Sequence, residues 1–179
     1  MRCTELSLPG VWRVEIEPSC DERGFFARTF CAEEFAQIGL PSTYCQSSVS
    51  FNQKRGTLRG MHFQANPSKE SKLVRCIRGA IMDVVLDLRE SSESFGRSVG
   101  VELSDDNRTA LAIPAGCAHG FITLKDDSEV LYMMSEPFNP SLSRGVRWDD
   151  PKFSISWPFT PLVISERDAQ YPGFSSDIL

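Results

Sequence analysis

Histidine is nearly absent from this chain: two residues in 179, with only three tyrosines. Other absences narrow the field further. None of the six cysteines pair as CxxC, so neither a zinc ribbon nor a dithiol redox motif is encoded. No apolar run approaches the roughly 20 residues that cross a bilayer, so no membrane association is expected. Basic residues are outnumbered, 19 against 24 acidic, and the net charge is −5, which leaves no basic stripe for nucleic acid. The opening residues lack the basic region and apolar run of a signal peptide. Cys3, Cys20, Cys31, Cys45, Cys76 and Cys117 are therefore expected to be free thiols in a reducing cytoplasm, mostly small core fillers. No repeat, low-complexity tract or linker divides the chain, so residues 1–179 are read as a single domain.

What is present is a series of short runs rich in Val, Ile, Phe, Thr and Leu, separated by turn residues. Strands are expected at 11–16, 25–30, 43–51, 57–64, 72–78, 80–88, 98–103, 109–113, 120–124 and 129–135. Turns are expected at Arg78-Gly79, Ser104–Asn107, Pro114–Gly116 and Asp126–Ser128. Strands so closely spaced predict an antiparallel sandwich or barrel, an all-β fold. Helix is expected only at Cys31–Gly39, where Phe35 and Ile38 precede a closing glycine, and for one turn at Ser165–Gln170. Strand 80–88 is too apolar to be an exposed edge, yet it carries Asp83 and Asp87. Each is expected to pair with a neighbouring arginine, because a buried carboxylate needs hydrogen bonds or a cation.

Both histidines sit in dense strings, His62 in GTLRGMHFQ (Gly56–Gln64) and His119 in IPAGCAHGF (Ile113–Phe121). By strand alternation Gly60 shares a face with His62 and Arg59 does not, unless a bulge at Gly60 brings Arg59 round. Lys72 alternates with Val74 and Cys76, which makes it either an inward enolate or anion stabiliser or part of a solvated face. Tyr132 lies in an apolar strand, where a tyrosine is most often core with its hydroxyl bonded. Asp168 falls in a helix first turn. Gly60–Gly79 resembles the first half of a cupin metal motif, but Gln64 breaks the HisXHis pair, so no metal is expected.

Taken together, nine strings in order resemble the dTDP-4-dehydrorhamnose 3,5-epimerase family. They are Asp21–Phe26, Gly56–Gln64, Lys72–Gly79, Asp83–Arg89, Leu103–Asn107, Ile113–Phe121, Trp148–Pro151, Trp157-Pro158 and Ser165–Asp168. The resemblance implies a cupin-like jelly roll with one or two short helices, a homodimer, and no cofactor. It implies epimerisation beside the ketone of a nucleotide-diphospho-4-keto-6-deoxy sugar. An epimerase acting at carbon 3 or 5 alone, a ketoisomerase, or a non-catalytic sugar-nucleotide binder would share the fold. By position it implies His62 as base, Asp168 as its orienting carboxylate, Tyr132 as the opposite-face acid and Lys72 beside the enolate. Arg59 and His119 match pocket positions, and Arg23, Phe26 and Gln46 match substrate-binding ones. Two departures stand on the nucleobase side. Arg28 replaces a glutamate common in the family, and Gln46–Ser48 reads QSS where the family has QXN. An acceptor exchanged for a donor implies altered reading of the base.

Overall fold

The computed structural model covers residues 1–179. The strands are β1 (Arg2–Glu5), β2 (Trp12–Glu15), β3 (Ser19–Asp21), β4 (Gly24–Phe26), β5 (Gln46–Asn52), β6 (Thr57–Gln64), β7 (Lys72–Arg78), β8 (Ala80–Asp87), β9 (Ser98–Ser104), β10 (Ala110–Ile113), β11 (Cys117–Thr123), β12 (Ser128–Met134), β13 (Ser143–Gly145) and β14 (Val163–Ile164). Helix α1 (Ala32–Gln37) follows β4, and α2 (Glu166–Ala169) follows β14. One sheet runs β1-β2-β10-β7-β12-β5 and the other β13-β6-β11-β8-β9, while β3 and β4 form a separate hairpin. The two large sheets pack face to face as a cupin-like jelly roll.

Alternation explains three apolar layers. Between the sheets, Val74, Leu111 and Val130 of one meet Ile81, Val85, Leu103 and Phe121 of the other. The outer face of the second sheet carries Met61, Phe63, Val84 and Leu86 beneath Phe153 and Trp157 of the C-terminal segment. The outer face of the first carries Val14, Leu73 and Ala110 beneath fully buried Phe35 of α1, whose ring meets Phe30 edge-on at 5.1 Å. Strand β8 is therefore covered on both sides, which is why its sequence is almost continuously apolar. Asp83 and Asp87 share the parity of Ile81 and Val85 and point between the sheets.

Several expectations change. Strand β11 begins at Cys117, not at residue 120, because pairing with β8 starts at Cys117–Asp87 and carries His119 into the strand. The expected strand 25–30 is a three-residue hairpin arm, Gly24–Phe26. Strands β1, β3, β13 and β14 have no periodicity of their own and exist through pairing with β2, β4 and β6. Only Cys76 and Cys117 are buried. Cys20 on the hairpin and Cys45 before edge strand β5 are exposed, so the cysteines are not mostly core. All six are free. No helix is long and apolar enough to cross a membrane.

One irregularity positions the site. Across β6 and β11, His119 faces His62 while Phe121 faces Arg59. Three steps on β6 match two on β11, so β6 holds one extra residue around Gly60, a β-bulge. Arg59 and His62 thereby reach the same face. Gly60 has φ +139°, and a Cβ there would stand 2.5 Å from the Gly120 Cα. Substituting Gly60→Ala is expected to cost about 1–3 kcal/mol through strain and overpacking. Urea unfolding measures it, and a wild-type midpoint would remove the steric reason for the bulge.

Candidate active site

The open end of the jelly roll holds two adjoining cavities of about 450 and 550 Å³, sharing His62, Lys72, Tyr132 and Arg167. Their walls come from different sheets. His62 and Arg59 stand on β6 and His119 on β11; Lys72 is on β7, Tyr132 on β12 and Gln46 on β5. The groove thus has a histidine wall facing a tyrosine–lysine wall.

His62 is bonded through Nε2 to Asp168 Oδ1 at 2.7 Å, with its side chain 37% exposed. Asp168 is delivered by a local sequence device. Strand β14 pairs parallel with Thr57 and Leu58 of β6, and Ser165 then caps α2 by accepting from the Asp168 N–H at 3.1 Å. The other Asp168 oxygen accepts from the Gly60 N–H at 3.1 Å, so one carboxylate ties bulge and imidazole together. Burial pushes the Asp168 carboxyl upward, but hydrogen bonds from His62, Gly60 and Ser165 outweigh it and hold the group below its usual range. With Nε2–H donating to a carboxylate, the ring nitrogen left to accept a proton is Nδ1.

The second histidine is committed differently. His119 Nε2 lies 2.9–3.0 Å from the Asp83 carboxylate, and both groups are buried. The partner of Asp83 is therefore a histidine and not the expected arginine. Asp83 lies on β8, whose residues 117–123 partner is β11, and register sets Asp83 beside Phe121, two residues from His119. Burial pushes the Asp83 carboxyl up. Asp87 does pair with an arginine, Arg89, at 2.7 Å, with Ser92 and Ser94 completing its hydrogen bonds.

On the facing wall the Tyr132 hydroxyl lies 3.3 Å from Ser50 Oγ, and burial raises its pKa well above the usual phenol value. Lys72 is not on a solvated face: its Nζ pairs with the nearly buried Glu70 at 3.2 Å. Glu70 also accepts from the Gln64 amide at 3.2 Å. Gln64, at the position that breaks the HisXHis pair, thus supports a lysine. No group of three or more His, Cys, Asp or Glu side chains gathers as a metal set. Arg59 Nε donates to Asn52 Oδ1 at 2.7 Å, and Gln46 Oε1 accepts from the Phe138 N–H at 2.6 Å.

The structure does not bring every sequence candidate to the groove. Arg23 pairs with Asp21 on the β3–β4 hairpin, Phe26 is 82% exposed there, and Arg28 donates to Glu34 of α1 at 2.8 Å. None of the three lines either cavity. Conversely, Arg167 lines both, although it had drawn no role from the sequence. Its adjacency to Asp168 in SERD was the available signal, since neighbours on a helical turn project about 100° apart.

An all-β sandwich that opposes a carboxylate-held histidine to a partly buried tyrosine defines a class of protein suited to moving protons on and off carbon. The family model for dTDP-4-dehydrorhamnose 3,5-epimerase matches residues 5–176. The dTDP-4-dehydrorhamnose 3,5-epimerase of Methanothermobacter thermautotrophicus is 43% identical over 95% of this chain and 92% of its own length. A dTDP-4-dehydrorhamnose 3-epimerase of Streptomyces niveus is 37% identical over 94% of this chain and 81% of its own. The crystal structure of dTDP-4-dehydrorhamnose 3,5-epimerase from Elizabethkingia anophelis superposes with TM-score 0.93 and 33% identity, covering 97% of this chain and 96% of that one. The chain belongs to the dTDP-4-dehydrorhamnose 3,5-epimerase family.

The Asp168 geometry carries a pH signature. A carboxyl whose folded value lies below its unfolded value, about 3.9, adds stability present above that pH and lost as pH falls through the folded value. The stability gap between wild type and Asp168→Asn should hold steady near pH 5 and close below about pH 4. Urea titrations between pH 5.5 and 2.5 read it, and a gap that persists undiminished to the acid end would contradict the bonding of Asp168.

Proposed function

We propose that this protein is an isomerase that epimerises a dTDP-linked 4-keto-6-deoxy sugar at carbon 3, carbon 5 or both, by removing and returning a proton next to the ketone. The observation that carries the reading is the placement of His62 and Tyr132 on facing walls of one groove, with Lys72 beside Tyr132. The hydrogens on carbons 3 and 5 are acidified by the carbon 4 ketone. Neutral His62, its Nε2–H fixed by Asp168, takes one through Nδ1 and becomes an imidazolium stabilised by that carboxylate. The electron pair moves to the ketone oxygen as an enolate, and the Lys72 ammonium bears on that oxyanion. Tyr132 returns a proton to the same carbon from the opposite face, inverting it. Its burial suits this step, because a phenol held neutral still has its proton to give. Solvent restores both groups afterwards. His119 and Arg59 line the sugar end, and Gln46 the other cavity.

The expected assembly is a cytoplasmic homodimer in which residues 1–179 act as one domain. Two features support a self-interface. Val49 and Phe51 of edge strand β5 are exposed, as is Phe26 of the hairpin, leaving apolar surface for a second copy to cover. Arg23, Phe26 and Arg28 do not reach the groove within one chain, so a nucleotide-side role for them requires a neighbour. A single-centre epimerase is the second reading, supported by the Streptomyces niveus relative being named a 3-epimerase. The site chemistry is common to both.

Incubation with dTDP-, CDP- and GDP-linked 4-keto-6-deoxy sugars in heavy water, followed by NMR, tests the proposal. Deuterium should enter carbon 3 or 5 of the dTDP sugar with inversion, with or without chelator. No exchange with any of these would defeat it, and binding without exchange would favour a pure binder. His62→Asn should lower exchange by about 10²–10⁴-fold. Tyr132→Phe should still exchange on the His62 face while inversion lags behind. Equal loss of exchange and inversion in Tyr132→Phe would remove Tyr132 as the acid.

A further inference from the structure

Tyr171 lies three residues beyond Asp168, outside every string that carries the family resemblance. Its ring meets the His62 imidazole edge-on, with centroids 6.1 Å apart and planes at 69°. It also lies over Gly145, the register partner of His62 on β13. A Cβ at Gly145 would fall 2.1 Å from the tyrosine ring, so that position accepts the ring only because it is glycine. At its far end the Tyr171 hydroxyl accepts from Arg167 Nε at 2.9 Å, while Arg167 Nη2 donates to Ser143 Oγ at 3.0 Å. One side chain thus touches both the imidazole and the guanidinium that lines both cavities.

His62 is held by a single hydrogen bond at one edge of its ring, and more than a third of its side chain is open to the groove. One hydrogen bond fixes a point but leaves the ring free to rock about it. The edge of Tyr171 supplies the missing wall. Arg167 has the opposite problem, a long side chain with large rotamer freedom, and the phenol oxygen with Ser143 fixes two of its nitrogens. From this juxtaposition we infer that Tyr171 is a positioning residue of the epimerase site, setting the imidazole plane of His62 through its ring and the direction of Arg167 through its hydroxyl. The inference rests on the reading of His62 as the base.

The two contacts can be cut separately. Tyr171→Phe removes the hydroxyl and keeps the wall. Its main effect, by releasing the guanidinium that lines both cavities, should be a loss of affinity for the dTDP-linked sugar of about threefold to tenfold, the scale of one released hydrogen bond. Tyr171→Leu removes the wall too, and should add a fall in kcat for solvent exchange of about tenfold to a hundredfold, the scale of a displaced catalytic group. Gly145→Ala should reproduce the kcat loss with Tyr171 intact, by pushing the ring away. The ring-proton resonances of His62 should move in Tyr171→Leu and Gly145→Ala far more than in Tyr171→Phe, a readout that needs no turnover. Equal kcat for wild type and Tyr171→Leu, or unmoved His62 resonances, would overturn the inference. Equal losses of affinity and kcat in the Phe and Leu variants would overturn the division between ring and hydroxyl. An inert wild type would strike the proposed epimerisation instead, leaving the resonances to decide whether Tyr171 positions His62.

Discussion

The hydrogen bond between His62 and Asp168 is the constraint on which the rest of the site depends. At 2.7 Å it joins β6 to a segment more than a hundred residues later, and its other oxygen anchors the bulge through the Gly60 N–H. Without the bulge, Arg59 and His62 would face opposite sides of β6. Without β14 running beside Thr57 and Leu58, Ser165 would have nothing to present Asp168 to. The carboxylate therefore has three duties at once: it holds a backbone irregularity, fixes which imidazole nitrogen carries the proton, and offers a counter-charge when the ring is protonated.

The facing wall follows a related logic. A lysine and a tyrosine would be unfavourable in the mouth of an apolar sandwich if left unpaired. Lys72 leans on Glu70, Glu70 on Gln64, and Tyr132 on Ser50. On the histidine wall, His119 and Asp83 form a second, buried pair. Removing one member of such a pair leaves its partner uncompensated, so each pair also fixes geometry. The apolar layers outside each sheet make the two walls rigid enough for distances between them to matter to chemistry.

Much of this was legible in the sequence, and the divide follows the range of the interaction. Strands β6, β7, β8 and β12 were readable because each is a short run of strand-forming residues bounded by turn signals, with β8 almost continuously apolar because both its faces are covered. The turn of α2 was readable because Ser165 and Asp168 satisfy a local capping rule. Strands β13 and β14 were not, since three residues and two residues exist as strands only by pairing with β6. The pairing of His119 with Asp83 was missed for the same reason: register between β8 and β11 decides it, and no local pattern encodes register. Tyr171 gave no signal at all, because its meaning lies in a glycine 26 positions earlier and a histidine more than a hundred positions earlier. The burial of the cysteines was misread because residue type sets a tendency while position on hairpin or edge decides the outcome.

The ionised Asp168 carboxylate can only accept, so it should hold His62 with its proton on Nε2 and leave Nδ1 unprotonated for the proposed role as base. With only two histidines in the chain, ¹⁵N NMR of the imidazoles resolves it directly. In the neutral ring of His62, Nε2 should carry the proton and Nδ1 should show the shift of an unprotonated ring nitrogen, and Asp168→Asn should blur that distinction. A neutral His62 protonated on Nδ1 in the wild type would contradict it, because the unprotonated nitrogen would then be the one against Asp168.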